Sequence, residues 1–149
     1  MAYTGSKAIA TNGSTLSVAD SSGTNYLAIG EINDAGSMTG DKANKIDVTN
    51  LDSTGFKEYK QGLKDPPEAT VKMNFISTDA GQQRLQELYG SGATNNFKLV
   101  LSDKITASGT TIIRSGYISG YEILPVKDGV LTLTVKIQFT GAPTITAAS

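Results

Sequence analysis

A ten-residue stretch near the end of the chain alternates between apolar and polar residues, and it constrains the fold more than any other feature. Its apolar members are Leu131, Leu133, Val135, Ile137 and Phe139. A period of two places all five side chains on one face of a β-strand, whereas a helix would spread them over opposite sides. The preceding Lys127-Asp128-Gly129 is typical of a tight turn, so residues 110–126 are predicted to be the antiparallel partner.

Other segments indicate that the fold is mainly β. Glu68–Ser77 alternates in the same way, with its apolar residues on one side. Further strands are predicted at Leu16–Val18, Tyr26–Ile32, Lys45–Leu51 and Asn96–Ser102. A mainly β chain with many turns agrees with a sequence rich in Gly, Ser and Thr.

One segment has the pattern of a helix, at about Asp79–Tyr89. Asp79 and Gln82 have the spacing of a capping box, and Gly90 and Gly92 are typical of a helix stop. The apolar residues of this segment fall on one face. The helix is therefore predicted to cover one face or one end of a sheet.

The residue types that the chain lacks exclude several kinds of site. It has no Cys and no His, so it cannot use a Ser-His-Asp or Cys-His arrangement or a Cys-ligated zinc. Seven carboxylates lie within residues 34–68, but a glycosidase needs two of them on opposite sides of a sugar, and we interpret them as solvated surface groups. No EF-hand or P-loop pattern occurs. We therefore predict that the protein is not an enzyme and has no catalytic, metal or cofactor site.

Charge and hydropathy show no sign of two kinds of partner. The formal net charge is −1 and no run of Lys or Arg stands out, so no electrostatic footprint for nucleic acid or for an anionic membrane is visible. No apolar stretch approaches the ~20 residues that span a bilayer, and no signal-peptide pattern follows Met1. We expect the chain to be made in a cytoplasm and to have no membrane anchor.

A long loop is predicted between the early strands, at about residues 35–67. It is rich in Gly, Asp, Asn and Lys, and a connection of this length is usually functional or disordered. Phe56, Tyr59 and Leu63 are the apolar residues of its otherwise polar second half. Because apolar side chains in a loop need a surface to cover them, the loop either folds back onto its own sheet or docks on another subunit.

A short unit occurs twice within the predicted strand at 110–126, as Ser115-Gly116-Tyr117 and Ser119-Gly120-Tyr121. One interpretation is an aromatic pair displayed for a partner. The other is an alternating strand whose tyrosines cover the edge of a core.

The loop and the segments after it resemble the tail tube proteins of long-tailed, non-contractile (siphovirus-type) bacteriophages. The matching part of the loop is the stretch IDVTNLDSTGFKEYKQGLKD, residues 46–65. A strand, a short helix and a run of hairpins ending in an amphipathic strand come next, in the family's order. The resemblance extends from about Tyr26 to Gly141.

The resemblance implies a fold of two packed antiparallel sheets, sandwich-like or barrel-like, flanked by one short helix. It also implies hexameric rings that stack head to tail into a hollow tube through which DNA passes to the host. In the family the long loop reaches a neighbouring subunit or ring. The subunit-interface residues expected here are Asp47, Thr49, Phe56, Tyr59 and Leu63. The N-terminal arm and the C-terminal tail of such proteins often join contacts between rings.

On this basis residues 1–141 are expected to form the tube domain and residues 142–149 a flexible tail. The expected partners are further copies of the chain, the tape measure protein, and the tail-tip, distal-tail and terminator proteins. DNA is expected to pass without specific binding. The expected location is the virion tail, after assembly in the cytoplasm of the host bacterium.

Several alternatives share parts of this pattern. A contractile tail tube, a type VI secretion tube, a tail terminator and a head-decoration protein are other viral or tube-forming possibilities. A carbohydrate-binding or adhesin β-sandwich belongs to a different class, and the absence of Trp counts against it.

Overall fold

The computed structural model describes residues 13–125 and 127–149 of the chain. In chain order its strands are β1 (Thr15–Ala19), β2 (Tyr26–Ala28), β3 (Ile32–Asp34), β4 (Lys42–Asp47), β5 (Tyr59–Asp65), β6 (Glu68–Asn74), β7 (Asn95–Val100), β8 (Thr111–Leu124) and β9 (Thr132–Thr146). The described residues contain one helix, α1 (Ala80–Ser91), between β6 and β7.

The strands form two antiparallel sheets. The larger has seven strands in the order β2-β1-β7-β8-β9-β6-β3, and the smaller is the two-stranded pair β4-β5. The centre of the larger sheet is the long hairpin of β8 and β9, which pair over most of their length. The predicted fold, mainly β with two antiparallel sheets and one short helix, is confirmed.

The core lies on one face of the large sheet. Alternate side chains of β6, β7, β8 and β9 are buried there, as their period-two pattern predicts, and α1 adds Leu85 and Leu88. The rings of Phe97 and Phe139 meet edge to face with centroids 6.1 Å apart. Each fully buried apolar side chain of this size stabilises the fold by about 1.5–3 kcal/mol, so this face supplies most of the driving force for folding.

The turn between β8 and β9 lies where it is predicted. Asp128 has a φ of 62°, in the left-handed region that Asp tolerates better than most residues. Its neighbours Lys127 and Gly129 complete the turn. This local geometry fixes the register of the long hairpin.

A bulge in β8 decides what the two Ser-Gly-Tyr units do. One extra residue, Ser119, shifts the register against β9 and reverses the face to which later side chains point. Tyr117 lies before the bulge and is 41% exposed. Tyr121 lies after it, packs against the core and stacks on Tyr89. One tyrosine is therefore displayed and the other covers the edge of the core.

The helix begins where the sequence indicates and ends two residues later than predicted, at Ser91, so that Gly90 is helical and Gly92 alone provides the stop. Asp79 is the N-cap, and its carboxylate accepts a hydrogen bond from the backbone N–H of Gln82. Gly92, with a φ of 70°, is the left-handed C-cap. Gly81 allows the first turn to approach β2, because a Cβ there would lie 2.4 Å from the carbonyl oxygen of Ala28.

Two strand predictions need correction. The segment Tyr26–Ile32 is not one strand, because the chain leaves β2 after Ala28 and turns at Glu31, whose φ is 53°. The turn brings the N–H of Gly30 to Asp79 and the carbonyl of Gly30 to Gln82, so it serves the start of the helix. The strand predicted at Lys45–Leu51 is β4, which begins and ends earlier, at Lys42 and Asp47.

Residues 142–149, which are expected to form a flexible tail, begin as part of a strand. β9 continues to Thr146, and its end pairs with Thr111–Ile113 of β8. The main-chain oxygen of Ser149 then accepts hydrogen bonds from the four backbone N–H groups of residues 105–108, at 2.7–3.3 Å. Backbone hydrogen bonds hold the chain there, and the side-chain pattern of the sequence does not predict them.

The N-terminal arm, which the resemblance connects with contacts between rings, falls outside the described residues, as does Val126. Within the described ranges, no helix combines the length and the apolar character that crossing a bilayer requires.

Candidate functional site

The long loop predicted from the sequence contains a two-stranded β-ribbon, which we name the arm and define as residues 42–65. Its strands β4 and β5 pair antiparallel, with Asp47 opposite Tyr59 and Ile46 opposite Lys60. A bulge lies closer to the base of the arm. Every residue of β4 is exposed, and so is every residue of β5 except Gly62, which is half-buried. The arm therefore adds almost nothing to the core of its own subunit.

The arm carries large apolar side chains that the described part of the subunit leaves exposed. Leu63 is 87% exposed and Phe56 83% exposed, and the other members are Ile46, Leu51 and Tyr59. Apolar side chains concentrated on one projecting element mark a binding surface rather than a random scatter. The predicted loop could either fold back onto its own sheet or dock on another subunit. In the structure the arm does not fold back over the sheet.

The polar residues near the tip shape the loop. The carboxylate of Asp47 accepts a hydrogen bond from the backbone N–H of Thr49 at 2.9 Å. The hydroxyl of Thr49 accepts a hydrogen bond from the N–H of Glu58 at 2.8 Å. Hydrogen bonding by Thr49, through its side chain and then its backbone, holds the pKa of Asp47 below its usual value.

The five predicted interface residues therefore divide into two groups. Asp47 and Thr49 are neighbours in a hydrogen-bonded turn, and Asp47 also faces Tyr59 across the ribbon. Tyr59 lies beneath the ammonium group of Lys45, 4.5 Å from the ring centroid. Phe56 lies in the loop between the strands, and Leu63 lies on β5. Their contact with another subunit stays a prediction.

Residues outside the predicted set complete this surface. Ile46 and Leu51 are exposed apolar members of the same arm, 53% and 105% exposed. Arg114 is the residue that sequence reasoning missed entirely. The one feature of the sequence that could have identified it is the position of an arginine directly after Ile112 and Ile113, at the start of β8.

The base of the arm is tied to the core by an ion pair. Both carboxylate oxygens of Asp41 accept hydrogen bonds from the guanidinium of Arg114, at 2.6 and 2.8 Å. These hydrogen bonds, together with the positive charge, hold the pKa of Asp41 below its usual value. A bidentate pair of this kind fixes direction as well as distance.

A second exposed apolar surface lies at the free end of the β8–β9 hairpin, which we name the hairpin end. Its exposed members are Ile123, Leu124, Val130 and Leu131, with exposed fractions from 42% to 63%. The subunit thus presents two separate apolar surfaces that belong to different elements. A contact that repeats head to tail requires two different surfaces on each copy.

The large sheet also has open edges. It ends on one side with β2 and on the other with β3, each only three residues long. Along β9, pairing with β6 stops at Gln138, although β9 itself continues for eight more residues, to Thr146. Unpaired backbone groups on such an edge can accept a strand from another chain.

Cavities and titratable groups point to no chemistry in the part of the chain that the structure describes. A groove of about 440 Å³ beside β1 and β3 has Asp34 as the one charged residue of its lining. Among the described residues, no three carboxylates come together as metal ligands would. The exposed apolar side chains of the arm and of the hairpin end favour binding of a macromolecular surface.

Comparisons with known proteins agree with this geometry. A family model described as phage tail tube, TTP, lambda-like, matches residues 7–149. No curated protein sequence matches the chain.

Three solved structures share the fold. The tail tube of SPP1 superposes with a TM-score of 0.74 at 14% identity, covering 94% of this chain and 80% of that one. The tail of an empty gene transfer agent particle, refined with C6 symmetry, gives 0.68 at 20% identity, covering 89% and 96%. The anti-feeding prophage baseplate gives 0.74 at 8% identity, covering 97% and 98%. At these identities the likeness concerns the fold.

Proposed function

This chain belongs to the lambda-like phage tail tube family, and we propose that its copies close into hexameric rings that stack head to tail into a hollow tube. As a member of that family it is a structural subunit of a tail tube and a component of the virion. The proposal concerns how the subunit assembles and what passes through the assembly.

The observation that carries the proposal is the arm. It projects from the subunit, is almost wholly exposed and carries five large apolar side chains. An isolated ribbon of two strands is marginally stable in water, so an arm of this kind is best explained by a partner surface that covers it. The hairpin end offers a second apolar surface on the same subunit, which suits a head-to-tail contact between copies.

Closure into a ring is supported by the sheet edges. Edge-to-edge pairing of copies would satisfy backbone groups beyond Gly141, where the edge of β9 has no paired strand among the described residues. The sixfold symmetry comes from the gene transfer agent tail, which shares the fold. Stable contacts commonly bury about 1,200–2,000 Å² in total, and the exposed arm would contribute to such an area.

The partners follow from the role as a tube. We infer that DNA passes through the lumen without specific binding, which agrees with a net charge of −1 and the absence of a basic cluster. The tape measure, tail-tip, distal-tail and terminator proteins would contact the tube or its ends. We infer that assembly takes place in the host cytoplasm and that the role is structural, without catalysis.

The fold alone does not separate a flexible-tail tube from related assemblies. The anti-feeding prophage baseplate protein superposes as well as the SPP1 tube does. The match of the lambda-like family model over residues 7–149 favours the non-contractile tail.

Negative-stain electron microscopy of the purified protein over a concentration series tests the proposal. We expect hollow tubes or six-membered rings above a critical concentration. Replacing Phe56 or Leu63 by Ser removes an apolar contact from the arm and should raise that concentration about tenfold. Monomers at every concentration would contradict the proposal.

A matched control separates the arm from exposed apolar residues in general. Ile105 is 76% exposed and lies outside both the arm and the hairpin end. Ile105→Ser should therefore leave the critical concentration unchanged. If Ile105→Ser and Leu63→Ser act equally, the loss reflects general surface character, and the arm has no special role.

A further inference from the structure

Arg114 is an unusual member of the core. It is 1% exposed and lies on the buried face of β8. Among the described residues it is the only charged side chain of the buried set. A buried arginine requires partners for all of its N–H groups, because an unpaired one would lose its hydration without replacement.

All five N–H groups of this guanidinium have an acceptor. Nε and Nη2 donate to the carbonyl oxygen of Gly141 at 3.1 and 2.6 Å. Nη1 donates to the carbonyl oxygen of Met38 at 2.8 Å, and Nη1 and Nη2 each donate to one carboxylate oxygen of Asp41. The planar fork of arginine places five N–H groups on these acceptors, whereas an ammonium group has only three donors and no planar fork.

These acceptors come from two distant parts of the chain. Met38 and Asp41 immediately precede the arm, and Met38 is itself buried. Gly141 lies in an irregular part of β9, where Ile113 and Ser115 of β8 face Thr144 and Thr140. Gly141 has a φ of 75°, a conformation that glycine adopts without strain. Arg114 therefore joins the base of the arm to the point where β9 changes register.

Net stability does not explain such an arrangement well. A buried ion pair adds little to stability compared with apolar residues of the same volume, because removing both charges from water opposes their attraction. What a bidentate pair does provide is direction. The last third of β9, beyond Gly141, has an edge with no paired strand among the described residues.

We propose that Arg114 is a positioning residue that couples the direction of the arm to the geometry of the free β9 edge. Pairing of that edge with another copy and docking of the arm are then linked through one guanidinium. This inference rests on the proposed function, since it concerns the two surfaces through which copies of the chain would meet.

The first experiment uses the unassembled protein and does not depend on tube formation. Hydrogen exchange of the backbone amides of residues 41–45 is followed in the wild type and in Gly141→Ala, which changes β9 and leaves the sequence of the arm intact. We expect exchange at the base of the arm to accelerate about tenfold, because the acceptor that aligns Arg114 moves. Unchanged exchange there would overturn the coupling.

The second experiment tests the consequence for assembly. Arg114→Met should raise the critical concentration about tenfold, and Arg114→Lys, which keeps the charge without the fork, should not restore it. Leu85→Ala is the control, since it weakens the core at α1 and touches none of these hydrogen bonds. Assembly is compared at temperatures where the variants are equally folded.

If Arg114→Met then assembles like Leu85→Ala, its role is structural and the inference fails. If the wild type forms no tubes or rings at all, the proposed function fails instead, and the hydrogen-exchange result still decides whether Arg114 joins the arm to β9.

Discussion

The rings of Tyr89 and Tyr121 stack, with their centroids 5.8 Å apart and their planes inclined by 19°. The stack joins the end of α1 to the second half of β8. Burial raises the pKa of the Tyr121 hydroxyl. Tyr121 reaches this position because the extra residue Ser119 turns it toward the core.

Replacing the two tyrosines of β8 by Ala should therefore have unequal effects. Tyr121→Ala removes a packed and stacked ring and should lower the free energy of unfolding by about 2–3 kcal/mol. Tyr117→Ala, on the outward face, should lower it by less than about 1 kcal/mol. Urea unfolding of the unassembled protein measures both. Equal losses would mean that the bulge does not orient the two rings differently.

Two glycines of α1 should respond in opposite directions to the same substitution. A Cβ at Gly81 would lie 2.4 Å from the carbonyl oxygen of Ala28, so Gly81→Ala must push the helix away from β2. We expect a loss of about 2 kcal/mol in the free energy of unfolding. A Cβ at Gly90 meets nothing within 4 Å, so Gly90→Ala should stabilise the protein by up to about 1 kcal/mol.

Thermal unfolding followed by circular dichroism measures both glycine variants against the wild type. Because both positions belong to the same helix, the gain in helix propensity is common to them. A stabilising Gly81→Ala would contradict the close approach of α1 to β2.

Local sequence patterns predicted the strands with one buried face and the start of the helix. The alternation in β6 and β9 marks strands with one buried face, and Asp79 marks the start of α1 by satisfying an orphan N–H group. In both cases a short window of sequence holds the whole physical cause. The interface hypothesis for Phe56 and Leu63 had the same kind of basis, apolar residues in a polar stretch.

What the sequence did not predict depends on contacts between distant residues. β5 has no alternation because neither of its faces is buried, so it carries no period-two signal. The pair of Arg114 and Asp41 joins positions 73 residues apart, and nothing near either residue specifies the other. The last residues bind through backbone groups, which all sequences share.

The stability of the protein should depend on pH through Asp41. Arg114 lowers the pKa of this carboxyl in the folded state below its ordinary value of 3.8. The ionised group therefore stabilises the fold above the unfolded pKa, and this stabilisation is lost as the pH falls through the lower, folded pKa. Asp41→Asn should be less stable than the wild type at pH 7, and the difference should shrink below about pH 4.

Urea unfolding at a series of pH values measures this difference. Asp20, Asp47 and Asp103 also have lowered pKa values, but their contributions are common to both proteins and cancel. In an Arg114→Met background, Asp41→Asn should produce a difference that varies much less with pH, because Arg114 is the main cause of the lowered pKa of Asp41. A pH dependence as large as that in the wild-type background would assign the effect to another partner.

The last prediction concerns the backbone contacts of Ser149. Four successive amides, from Ile105 to Ser108, donate to one main-chain oxygen, and the N–H of Ser149 donates back to the carbonyl of Ser108 at 2.9 Å. Converging N–H groups of this kind form a concave site for an electron-rich oxygen. Deleting residues 147–149 should accelerate hydrogen exchange of the four amides by roughly tenfold, the equivalent of one lost hydrogen bond.

Ser149→Ala is the matched control for that deletion, because it removes the hydroxyl and keeps the main-chain oxygen and N–H. Its exchange at residues 105–108 should equal that of the wild type. If Ser149→Ala had as large an effect as the deletion, the Ser149 hydroxyl rather than its main-chain oxygen would make the contact. No effect of the deletion would mean that the end of β9 does not hold the loop between β7 and β8, and that the four amides are protected by some other acceptor.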